Sequence, residues 1–102
     1  MATTEMNCLA GGGGGNNTWS DTWTSSTTNE TKTIELPFDA ALVASVSSYG
    51  GSYSSLWQRN STSDSWVYSS NSYITGINGR EVTFKNPHGG TTTYHMYAMS
   101  AD

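Results

Sequence analysis

Alternation of side chains with a period of two constrains this chain of 102 residues more than any other feature. It is clearest from Asn78 to Met99. In Arg80-Glu81-Val82-Thr83-Phe84-Lys85, Val82 and Phe84 fall on one face. In the run Thr91 to Met99, Tyr94, Met96 and Ala98 share one face, and Thr93, His95, Tyr97 and Met99 share the other. Between the runs, Asn86-Pro87-His88-Gly89-Gly90 is dense in turn formers, and Pro87 cannot donate to a ladder. Asn78-Gly79 is a tight-turn pair, both residues tolerating positive φ. Two alternating runs around a Pro/Gly turn predict a C-terminal β-hairpin. An isolated hairpin is marginal in water, so the rest of the chain is expected to supply covering sheets.

The preceding residues carry the same signal. Thr31 to Phe38 alternates, with Ile34, Leu36 and Phe38 inward, and Pro37 places the end of this strand at an edge or turn. Leu42 to Ser48 reads as a strand with Leu42, Ala44 and Val46 on one face. A helix over Ala40 to Val46 would be too short to be amphipathic. Tyr49-Gly50-Gly51-Ser52 is a hairpin turn. Tyr53 to Arg59 follows as a strand, with Tyr53, Ser55, Trp57 and Arg59 opposed to Leu56 and Gln58. Trp66 to Tyr68 and Tyr73 to Ile77 complete the set. Short strands separated by turn signals predict an all-β fold, a small antiparallel β-sandwich of about seven or eight strands. One of these strands is expected around Trp19 to Thr24.

Ahead of the sandwich, Gly11, Gly12, Gly13, Gly14 and Gly15 form a run that no regular element tolerates. Residues 1–30 are therefore expected to be a Gly-rich N-terminal attachment arm, and residues 31–102 the sandwich. The glycines are a hinge or a close-packed oligomer contact. Without a preceding strand and a following Lys-Ser/Thr they do not make a phosphate loop. Trp19 and Trp23 share a face of a polar strand. They are read as core-edge or assembly residues, with a partner or sugar contact as the alternative.

Composition narrows the function. The chain has 4 Trp, 6 Tyr and 2 Phe but only 12% charged residues, an aromatic content unlike that of disordered chains. Its net charge is −4, and its cations, Lys32, Arg59, Arg80 and Lys85, are scattered, which argues against nucleic acid as a partner. No apolar run approaches the roughly 18 residues of a membrane span, and no membrane insertion is expected. The N-terminus lacks the basic and apolar regions of a signal peptide. Cys8 is the single cysteine and is expected to be an idle or semi-buried thiol. His88, expected to be solvated in its turn, and mid-strand His95 have no clustered carboxylates, so neither a metal site nor a cofactor is expected. Glu35, Asp39, Asp64 and Glu81 are read as solvated strand or turn residues. No nucleophile motif such as G-x-S-x-G is present, and the chain is not expected to be an enzyme.

From Thr31 onward the order of parts resembles small β-sandwich domains of bacteriophage tail-fibre and other virion proteins. The matching pieces are Thr33-Ile34-Glu35-Leu36-Pro37-Phe38, Ala41-Leu42-Val43-Ala44-Ser45-Val46, Gly76 to Phe84, and Gly90 to Ala98. The resemblance is one of strand flavours over Thr31 to Asp102. It implies a structural or adhesive part of a virion (tail fibre, tail tip or head-fibre decoration), made in the host cytoplasm and built with other virion proteins as a homo-oligomer, usually a trimer. A host-surface glycan is the candidate ligand. The alternatives are a stand-alone carbohydrate-binding module and a capsid cement protein without receptor binding.

Six residues are candidates for glycan contact: Trp57, Arg59, Asn60, Trp66, Tyr68 and Tyr73. Trp and Tyr stack on sugar rings, while Arg and Asn supply hydrogen bonds. The competing reading makes these aromatics the core of a domain short of Leu and Ile.

Overall fold

A computed structural model describes residues 17–48, 54–60 and 65–101. It contains eight strands: β1 (Thr18–Ser25), β2 (Glu30–Glu35), β3 (Ala40–Ser47), β4 (Ser54–Asn60), β5 (Ser65–Tyr68), β6 (Ile74–Asn78), β7 (Glu81–Asn86) and β8 (Thr92–Ser100). They form a five-stranded sheet, β1-β8-β3-β4-β5, and a three-stranded sheet, β2-β7-β6. All pairings are antiparallel. The expected all-β sandwich is the fold.

The expected C-terminal hairpin is absent. β7 pairs with β2 and β6 in the smaller sheet, whereas β8 pairs with β1 and β3 in the larger one. The two runs alternate as read, with Val82, Phe84, Tyr94 and Ala98 fully buried and Met96 nearly so. Each run has an apolar face to bury, and the sandwich buries them in one core between the sheets.

The segment between β7 and β8 is a crossover, and Asn86 organises it. Asn86 is fully buried. Its Nδ2 donates to Ser25 Oγ at 3.0 Å and to Thr27 O at 3.1 Å. Its Oδ1 accepts from the His88 backbone N–H at 3.0 Å and from the Tyr94 hydroxyl. The Asn86 carbonyl accepts from Asn29 N at 2.6 Å. Asn29 has φ +67°, a conformation Asn tolerates better than most residues. One side chain thus ties the β1–β2 crossover to the β7–β8 crossover, satisfying polar groups that would be costly to bury alone.

Two bulges adjust which residues face inward. The β3–β8 register shifts between Ala40 and Leu42, so Ala40 and Val43 both point into the core. The β6–β7 register shifts between Ile74 and Gly76, which lets Ile74 and Ile77 share the inner side. The β6–β7 hairpin turns on Gly79-Arg80, one residue later than the Asn78-Gly79 pair suggested, with Gly79 at φ +63°. Glycine first is the pattern of a two-residue II′ turn.

Strand β2 stops at Glu35 rather than running to Phe38, as a following proline dictates. Leu36 beyond it remains a core residue, its N–H donating to Arg80 O at 2.7 Å. β1 is paired with β8 along its whole length, Thr18 opposite Met99 through Ser25 opposite Thr92. The described sandwich therefore reaches back to Thr18, and a boundary at residue 31 would divide the larger sheet. Gly11 to Gly15 and Cys8 lie outside the described residues.

Candidate functional site

The site is a ledge on the β4–β5 hairpin, at one edge of the larger sheet. Trp57 and Arg59 alternate onto the inner face of β4. In the antiparallel register Trp57 lies opposite Tyr68, and Arg59 opposite Trp66, so all four side chains share that face. Trp57 is only 7% exposed, but Tyr68, one strand further out, is 50% exposed.

The ledge is rigid by construction. The Trp57 and Tyr68 rings stack with centroids 4.4 Å apart and planes 16° apart. Trp57 Nε1 donates to Ser70 O at 3.0 Å, which sets the indole orientation. Ser69 N donates to Leu56 O at 2.9 Å, and Leu56 N donates to Ser69 Oγ at 3.0 Å. One face of Tyr68 is thus used by Trp57, and its exposed area is a flat apolar surface with a hydroxyl at its rim.

Beside the ledge, Arg59 and Trp66 form one wall of a cleft of about 300 Å³. Asp39 and Ala40 from the β2–β3 connection and Ile77, Asn78 and Gly79 from the β6–β7 hairpin form the remainder. Trp66 is half-buried and packs on the core. Asp39 Oδ1 pairs with Arg80 Nε at 3.2 Å, and Arg80 also donates to Pro37 O at 3.4 Å. The cleft therefore combines one indole, a guanidinium, a carboxylate and an amide, a mixture suited to a polyhydroxylated ring. Asp39 is the one carboxylate among the described lining residues.

Four of the six sequence-predicted contact residues, Trp57, Arg59, Trp66 and Tyr68, come together here. Asn60 adjoins them in sequence but points to the outer face, opposite Ser65. Tyr73 is elsewhere. It is 4% exposed, packs 5.6 Å from the Tyr94 ring, and its hydroxyl meets His88 Nε2 at 2.7 Å. Tyr73 is a core residue and His88 is half-buried, not a solvated turn histidine.

Trp19 and Trp23 also face inward. Trp19 stacks on Phe84 at 6.4 Å, and Trp23 lies 5.5 Å from Tyr94. They are partly buried against the core. Sequence reasoning missed Asp39, Ile77, Asn78 and Gly79 as lining residues. The Asn78-Gly79 pair marked a turn, but nothing local says that this turn faces Arg59 across the sandwich.

Burial, reinforced by the neighbouring Tyr73, pushes the Tyr94 hydroxyl up to about 12. Among the described residues no three His, Cys, Asp or Glu side chains converge as a metal site would require. Comparison with protein-family models, curated proteins and solved structures finds no match to this chain.

Proposed function

We propose that this chain is a bacteriophage virion structural protein, of the tail-fibre, tail-tip or head-decoration class, whose sandwich binds a host-surface glycan at the β4–β5 ledge. The observation that carries the binding part is the stacked Trp57–Tyr68 pair, whose Tyr68 ring is half exposed and which shares its face with Trp66 and Arg59. A buried core has no need to leave its outermost aromatic 50% exposed, and large exposed aromatics set in a rigid frame mark contact surfaces. The virion part is supported by the strand flavours from Thr31 to Asp102. Weak single-site affinity suits a particle component, because many copies raise avidity without new contacts. The chain enters the sandwich at β1, the edge of the larger sheet opposite β5. An N-terminal tether to the particle would thus leave from the far edge.

A glycan array probed with the full-length protein tests the reading, followed by titration of the best sugar. Tyr68→Ala is expected to weaken binding about tenfold, ~1.4 kcal/mol for one stacked ring, without loss of folding. A set of bound glycans unaffected by Tyr68→Ala and Trp66→Ala would remove the ledge from the proposal. Mass spectrometry of purified particles tests the virion assignment separately.

A further inference from the structure

The side of the five-stranded sheet that faces away from the core is not an ordinary solvated face. Its outward positions follow from the register. Met99 pairs with Leu42, Tyr97 with Ala44 and His95 with Val46, and Ala44 in turn pairs with Leu56. Directly opposed residues share a face, so Leu42, Ala44, Val46, Leu56, Tyr97 and Met99 form one contiguous outer patch across β8, β3 and β4. Val67 of β5 extends it through Gln58. Val46 is 41% exposed, Leu56 42%, Tyr97 38% and Val67 60%. Scattered exposed apolar residues are normal, whereas a contiguous patch marks an interaction surface.

The second observation concerns charge. None of the outward positions of β1, β8, β3, β4 or β5 carries Asp, Glu, Lys or Arg. The outer side of the smaller sheet is different. There Glu35 lies opposite Glu81, and Thr31 opposite Lys85, around a Thr33–Thr83 hydroxyl contact. In a chain of net charge −4, the uncharged face is the one that can meet its own copy without opposing like charges. Its size also suffices: five strands at about 4.8 Å spacing and about 25 Å length give a footprint of roughly 600 Å², near the area each partner contributes to a specific complex.

We propose that this face is a self-association surface, on which a second copy of the chain packs sheet against sheet to make a two-fold dimer. A patch that meets itself closes at two copies. This goes beyond the glycan reading: the ledge is on the other side of the sheet and stays open in the dimer. It also relocates assembly from Trp19 and Trp23 to the outer residues of β8, β3 and β4.

Light scattering of the full-length protein over a range of concentrations tests this. The expected mass is twice that of the chain. Val46→Glu with Leu56→Glu, both at exposed positions, is expected to give a monomer with an unchanged circular-dichroism spectrum. Thr33→Glu on the opposite outer face is expected to leave the dimer intact. Hydroxyl-radical labelling of the unmutated protein supplies a second readout, with Tyr97 and Met99 protected at high concentration and labelled on dilution. A monomer at all concentrations, a trimer, or a dimer that survives the double substitution would overturn the proposal. So would a monomer in which Tyr97 and Met99 are already protected, because the chain's own remainder would then cover the face.

Discussion

The two faces of the five-stranded sheet differ in a way that hydrophobicity does not anticipate. On β3 the outward positions are Leu42, Ala44 and Val46, while the inward ones are Val43, Ser45 and Ser47. On β4 the outward Leu56 lies between inward Ser55 and Trp57. Apolar character alone would turn β3 over. The inner side takes serines because large rings claim the space. Ser47 pairs with Tyr94 across the strands, and Ser55 Oγ accepts the Tyr73 N–H at 3.1 Å. Volume decides which face is buried, and the surplus aliphatic residues are left outside.

The contrast is broken or sharpened first by paired substitutions. Met96→Ala on the inner face is expected to cost about 2–5 kcal/mol, read from urea unfolding. Leu56→Ser on the outer face is expected to stay within about 0.5 kcal/mol when measured on dilute protein. Equal losses at the two positions would show that the outer patch contributes to the fold rather than to association.

The alkaline limb of stability is a sharper probe of the inner face. A Tyr94 hydroxyl held up to about 12 against an ordinary value of about 10 favours the neutral form in the folded protein. Its stabilising contribution is complete below about pH 10 and is lost as pH rises through about 12. The thermal midpoint is expected to fall over that window, and the fall to shrink in Tyr94→Phe. That variant also gives up the hydroxyl bond to Asn86, at about 1 kcal/mol near neutrality.

A comparably small effect, of opposite sign, concerns Ser45, whose hydroxyl is buried with no hydrogen-bond partner among the described residues. Ser45→Ala is expected to raise stability by about 1 kcal/mol, because it removes an unsatisfied polar group. A loss of stability instead would mean that a partner outside the described residues satisfies this hydroxyl.

Much of this molecule was legible in order of residues. The period-two runs placed the strands, and Val82 with Phe84, and Tyr94 with Met96 and Ala98, were correctly read as sharing a face, because alternation is a local property of an extended chain. The shared face of Ser55, Trp57 and Arg59 was legible for the same reason. Tyr73 was misjudged as a contact residue, since a tyrosine in a polar stretch looks alike whether its ring points to solvent or into a core.

Taken alone, the sequence determined an all-β chain and the pairing of side chains into faces. These depend on φ/ψ preference and on spacing along the strand. Only the tertiary structure decided that β7 and β8 belong to different sheets, that Asn86 pins the crossovers between them, and that the β6–β7 turn faces Arg59. It also decided that Leu42, Ala44 and Val46 point away from the core. Each of those outcomes depends on how much volume arrives from strands distant in sequence, and neither propensity nor periodicity encodes that sum.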